Sequence, residues 1–135
     1  HFVPLTNGTV PPFFSEHEKE VIGVPETAAN AQLDDDLGFY WRHNQKLEVH
    51  RGMFKTPTVR NSELTAPYMH NGVYASLEEV MNFYNLGGGG GMGFDLPYQT
   101  LPFDNLQLTK GEEKALVAFM KTLTDTQVEP AEAVY

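Results

Sequence analysis

The 135-residue chain contains no cysteine. Disulfides and cysteine-bound zinc are therefore excluded within it. Basic charge is scarce. Nine Lys and Arg stand against 18 Asp and Glu, giving a net charge of -9. A nucleic-acid surface needs clustered cations, so no nucleic-acid partner is expected. No apolar run approaches the roughly 18 residues that a membrane span requires, so none is expected. Residue 1 is His, which reads as a processed product or a fragment. The length fits a single domain, residues 1–135.

Regular structure is also sparse. Residues 1–14, HFVPLTNGTVPPFF, have no helical period and read as an ordered loop. Residues 15–22 read as a short helix, with Ser15 as N-cap and Glu18 closing a capping box. Residues 23–38 read as loop, and the run Asp34-Asp35-Asp36 as a solvated surface. Residues 39–50 are a short helix or irregular; 51–75 are extended and turn-rich, interrupted by Pro57 and Pro67. Ser76 to Leu86 is a helix, because Ser76 and Glu79 form a capping box. Leu77, Val80, Met81 and Tyr84 share one face of it. Gly87 to Gly91 stops that helix and, with Gly93, reads as a mobile loop. A second helix covers 109–124, opened by Thr109 and Glu112 and striped by Leu116, Phe119, Met120 and Leu123. The tail, 125–135, reads as frayed, and no strand pair stands out. The expected class is all-α with long loops.

An all-α domain with so little regular structure and no disulfides needs something else in its core. A porphyrin is the natural candidate, a large apolar disc enclosed by aromatics such as Phe13, Phe14, Phe54, Tyr68 and Phe83. Haem iron takes His, Met or Tyr as ligands. The chain offers His1, His17, His43, His50, His70, Met53, Met69, Met81, Met92 and its tyrosines. None of these is decisive alone.

Their grouping says more. The block FKTPTVRN (54–61), then TAPYMHNG (65–72), then LEEV (77–80) and FYNLGG (83–88) resembles the C-terminal haem domain of bacterial di-haem cytochrome c peroxidases, including MauG-type enzymes. DLPYQTLP (95–102) and the last helix fit the same pattern, so the resemblance runs over nearly the whole chain. It implies a class I cytochrome c-like domain holding haem c, here without the first helix and the Cys-x-x-Cys of the haem-binding motif. The stretch HFVPLTNGTVPP matches the His of that motif and the residues C-terminal to it. The two cysteines are therefore expected just upstream of His1, and His1 is the implied proximal ligand. In MauG-type members a Tyr fourteen residues after the motif His is the distal ligand, and here that position is Tyr84. Met81 and Met69 are the alternative axial ligands. The resemblance places His70 near the haem, hydrogen-bonding Tyr84 or a propionate. Arg60 is a candidate propionate partner, because a guanidinium matches a carboxylate in bidentate fashion, against a surface ion pair with Glu63. The resemblance assigns the carbonyls of Thr65 and Pro67 to a calcium ion, a hard cation suited to oxygen. The last helix is expected to lay its stripe on an upstream segment or another chain.

The implied function is electron transfer. This domain relays electrons or oxidising equivalents to and from a peroxide-reactive haem in an N-terminal domain that is not in this chain. Implied partners are that domain or an upstream segment, a redox protein or small electron donor, and hydrogen peroxide at the partner haem. The implied location is the periplasm. Two other readings stand beside it: a stand-alone c-type electron-transfer cytochrome without peroxidase activity, and a haem-free binding module. No catalytic base is assigned.

Overall fold

The computed structural model describes residues 2–3, 13–14, 19–29, 32–42 and 44–125. In chain order these hold strands β1 (Phe2–Val3), β2 (Phe13–Phe14) and β3 (Lys19–Val21), helix α1 (Phe39–Arg42) and strand β4 (Met53–Lys55). Next come helices α2 (Leu77–Asn85), α3 (Gly88–Gly91) and α4 (Lys110–Thr122). The all-α expectation is overturned. The described residues hold two antiparallel two-stranded sheets, β1 with β2 and β3 with β4, and two of the four helices are four-residue turns.

Strand β3 falls inside the segment expected to be helical. Its register places Val21 opposite Met53 and Lys19 opposite Lys55. The Val21 amide also donates to Thr100 Oγ1 at 3.1 Å, and its carbonyl accepts from the Thr100 amide at 3.0 Å. Both partners are distant in sequence, so local periodicity could not report them. The Ser15 and Glu18 capping pair lies outside the described residues.

The two longer helices begin as their sequences require. At α2, Ser76 Oγ accepts the Glu79 amide, while the Glu79 carboxylate accepts the amides of Ser76 and Ala75. At α4, Thr109 and Glu112 repeat the exchange. Each such cap contributes about 1 kcal/mol. Asn85 joins the end of α2 to the start of α4. Its Nδ2 donates to Glu113 Oε1 at 2.8 Å and to the Leu108 carbonyl at 3.2 Å; its Oδ1 accepts the Leu108 amide at 2.9 Å. Leu77, Phe83 and Val117 are buried between these elements, with Val21, Val24 and Tyr74.

The glycine run is packed, correcting the expectation of a mobile loop. Gly87, at φ 94°, ends α2, and Gly88–Gly91 then makes a helical turn. The Gly89 amide donates to the Ile22 carbonyl at 2.8 Å, and a Cβ on Gly89 would stand 2.2 Å from the Gly23 carbonyl oxygen. The Gln99 side chain accepts from the Gly90 amide and donates to the Gly87 carbonyl. Absence of side chains here permits backbone-to-backbone packing.

Candidate functional site

The face of α2 expected from its period lines a cavity. Leu77, Val80, Met81 and Tyr84 form one wall. Phe54, Pro57 and Val59, in and just after β4, form another. The turn from Thr65 to His70 closes a third side, and Met120 reaches in from α4. The cavity measures about 560 Å³, within the roughly 300–1,000 Å³ of small-molecule and cofactor sites. Its wall is mostly aliphatic and aromatic, broken by Tyr68, His70, Tyr84, Ser62 and Lys55. The Ser62 hydroxyl is buried without a hydrogen-bond partner among the described residues, while its carbonyl accepts from Tyr68 Oη at 2.9 Å.

Most of the residues singled out from the sequence meet here. Phe54, Thr65, Pro67, Tyr68, Met69, His70, Met81 and Tyr84 all line the cavity. Arg60 is exposed and is not part of its wall. The Glu63 carboxylate, its alternative partner on the sequence reading, accepts from Thr124 Oγ1 at 3.1 Å. Phe83 also lies elsewhere, buried in the core against Tyr74 and meeting the Tyr84 ring edge-on at 5.5 Å. His1 lies outside the described residues, as do the side chains of Phe13 and Phe14.

Burial, and after it the negative charge of Glu20, pushes the Tyr84 phenol above its ordinary 10.0. The free phenol therefore keeps its proton at neutral pH, and a metal bound there would have to displace it.

His70 is held from two sides. Its ring stacks on Phe54, centroids 3.8 Å apart and planes 13° from parallel. Its Nε2 lies 3.1 Å from Asp34 Oδ1. Asn71 Nδ2 donates to Asp34 Oδ2 and to the Pro25 carbonyl, both at 2.9 Å. Burial acts to raise the Asp34 carboxyl, but the bonds it accepts from His70, Asn71 and the Asp36 amide outweigh this and hold it below 3.8. Sequence reasoning missed Asp34 by treating the acidic run as uniformly solvated. Asp35 and Asp36 are exposed, whereas the Asp34 side chain is only 14% exposed. Among the described residues, no cluster of three or more His, Asp or Glu is arranged to hold a metal ion.

No protein-family model matches the chain. Individual relatives do. A cytochrome-c peroxidase, IdrP1, from Denitromonas iodatirespirans is 42% identical over 94 residues, which is 70% of this chain and 23% of that protein. The methylamine utilization protein MauG of Paracoccus denitrificans is 35% identical, covering 87% of this chain and 36% of its own length. A crystal structure of a MauG-like protein associated with microbial copper homeostasis superposes with a TM-score of 0.58 at 27% identity, covering 88% of this chain and 35% of that one. The chain belongs to the MauG and cytochrome c peroxidase family. It spans only about a quarter to a third of the length of these relatives.

Membership of the MauG and cytochrome c peroxidase family implies haem c, and the residues present fit such a group. An apolar cavity of suitable volume, a hydroxyl left unpaired in its wall, and phenol and thioether donors one helical turn apart at Tyr84 and Met81 all suit an iron porphyrin. No described helix is long and apolar enough to cross a membrane.

Proposed function

We propose that this chain is the C-terminal haem domain of a MauG-like di-haem peroxidase. It relays electrons or oxidising equivalents to and from a peroxide-reactive haem in an N-terminal domain. The observation that carries the proposal is the convergence of Tyr84, Met81, Met69, His70, Tyr68 and Phe54 on one apolar cavity. Bound haem supplies one-electron redox chemistry. The residues of this chain bind it and set its environment. Leu77, Val80 and Phe54, which line the cavity, would shield the bound group from water. His1 and Tyr84 are the residues that would hold its iron. An anionic phenolate oxygen favours the oxidised metal, whereas the Met81 thioether in its place would favour the reduced one. Arg60 is the partner for a propionate, as a guanidinium matches a carboxylate in bidentate fashion. The carbonyls of Thr65 and Pro67 are offered to a calcium ion whose remaining protein ligand belongs to the other domain. Hydrogen peroxide reacts at the partner haem, and a redox protein or small donor supplies electrons. The protein works in the periplasm.

The test is an intact mass with haem count on the natively purified full-length protein, with electronic and electron paramagnetic resonance spectra of Tyr84→Phe and Met81→Leu. Two haems are expected. Tyr84→Phe abolishes the tyrosinate signature and Met81→Leu preserves it. A haem-free protein, or a Tyr84→Phe spectrum identical to wild type, rejects the reading.

A further inference from the structure

Asp34 lies 36 residues from His70 in sequence, yet three donors converge on its carboxylate. Oδ1 faces His70 Nε2 at 3.1 Å and accepts the Asp36 amide at 2.9 Å; Oδ2 accepts Asn71 Nδ2 at 2.9 Å. The Asn71 amide is oriented independently, because its Nδ2 also donates to the Pro25 carbonyl and its Oδ1 accepts the Val73 amide. Asp34 thus ties the segment before α1 to the turn that closes the cavity.

An ionised carboxylate only accepts hydrogen bonds. The ring nitrogen facing Asp34 must therefore be the protonated one. We infer that Asp34 is a positioning residue, which fixes His70 as its Nε2–H tautomer, flat against Phe54 in the cavity wall. In a neutral ring of that tautomer, Nδ1 is an acceptor. It takes a hydrogen bond from a hydroxyl, an amide or a water, and gives none to a carboxylate. A haem propionate is accordingly not the partner of the neutral ring. The device resembles the way a carboxylate orients a histidine from behind in metal sites, although here the histidine is not a ligand. Its bearing on function rests on the reading of the cavity as a haem site.

The tautomer itself is testable without that reading. In full-length protein carrying ¹⁵N-labelled histidine, with zinc in place of haem iron or with no haem at all, nitrogen–proton correlations report which His70 nitrogen bears hydrogen. Nε2 is expected in the wild type. Asp34→Asn is expected to give a mixture of tautomers, Asp34→Glu to restore one form, and Asn71→Ala to leave the tautomer unchanged. A wild-type proton on Nδ1, or an Asp34→Asn spectrum matching wild type, overturns the inference. Should Asp34→Asn not fold, the wild-type and Asp34→Glu spectra still decide. The second readout is the midpoint potential of the iron protein. Removing the anion in Asp34→Asn should raise it, with Asn71→Ala unchanged. Equal shifts in both variants would reduce Asp34 to scaffolding. A missing haem would sink the haem assignment and leave the tautomer result standing.

Discussion

The Phe54 and His70 rings lie face to face, 3.8 Å between centroids, and both line two cavities. One is the 560 Å³ cavity walled by α2; the other, of about 310 Å³, is bordered by Asp34, Asp36, Arg51 and Tyr98. The stack works as a partition. Phe54 comes from β4, whose partner β3 fixes its register, and His70 comes from the turn held by Asp34.

Phe54→Ala should open the partition and join the two spaces. Truncating a fully buried Phe costs roughly 3–5 kcal/mol, and the ring here is only half-buried, so a loss of about 2 kcal/mol is expected. Urea unfolding monitored by circular dichroism measures it. A change within experimental scatter would mean that the stack carries no stability.

Gly89→Ala should destabilise by roughly 1–3 kcal/mol through overpacking, since its methyl would press on the Gly23 backbone. Gly93→Ala is the control for crowding alone: no atom lies within 4 Å of its Cβ position, although its φ of 97° adds strain of its own. If Gly89→Ala proves neutral, α3 is not seated on the 22–23 segment as described.

Legibility in the sequence tracks the range of the interactions involved. The capping boxes at Ser76 and Thr109 and the Leu77, Val80, Met81, Tyr84 face are local, set by residues three or four apart, and they match the structure. The Val21 strand and the Asp34 carboxylate depend on partners 30 or more residues away, and neither is visible to a local pattern. The glycine run misleads for a related reason: composition shows that no side chain is present, but not that another backbone fills the space. The candidate site is the most legible part because most of its residues cluster in two short segments, 54–70 and 77–84. Phe83 is an exception within them, because it sits to one side of that face of the helix, in the core.

Asn85→Ala should cost roughly 1–3 kcal/mol, because it removes three bonds between the end of α2 and the start of α4. The Leu108 amide and carbonyl lose their partner in the process. Thermal unfolding of the variant tests this; an unchanged midpoint would show that water replaces the side chain without penalty.

Acid should weaken the fold through the helix starts. The Ala75 amide, with Ser76, holds the Glu79 carboxyl below 4.5, and Thr109 does the same for Glu112. The Lys110 ammonium and Asn85 hold Glu113 below 4.5 against its burial. Each group binds its proton more weakly folded than unfolded. Their stabilisation is complete above about pH 4.5 and is lost as pH falls below it. Urea midpoints recorded from neutral pH down to about pH 3 should show the loss, and Glu79→Gln, which keeps the cap but cannot ionise, should flatten it. A Glu79→Gln profile parallel to wild type would remove Glu79 from the account.

The two sides of α4 should respond differently to mutation. Val117 is 4% exposed, whereas Leu116 and Phe119 are 40% and 55% exposed. The expected stripe is therefore not fully covered by the described residues, and Met120 alone among its members lines the cavity. Val117→Ala should cost about 1–3 kcal/mol, because it leaves a void where α4 meets the core. Phe119→Ser, in this same 135-residue chain, should stay within about 0.5 kcal/mol, as surface substitutions usually do. In the full-length protein Phe119→Ser should cost more, if an upstream segment or a second domain seats itself on the stripe. Equal costs in the two lengths of chain would show that nothing covers Phe119, and the stripe would then be ordinary exposed surface.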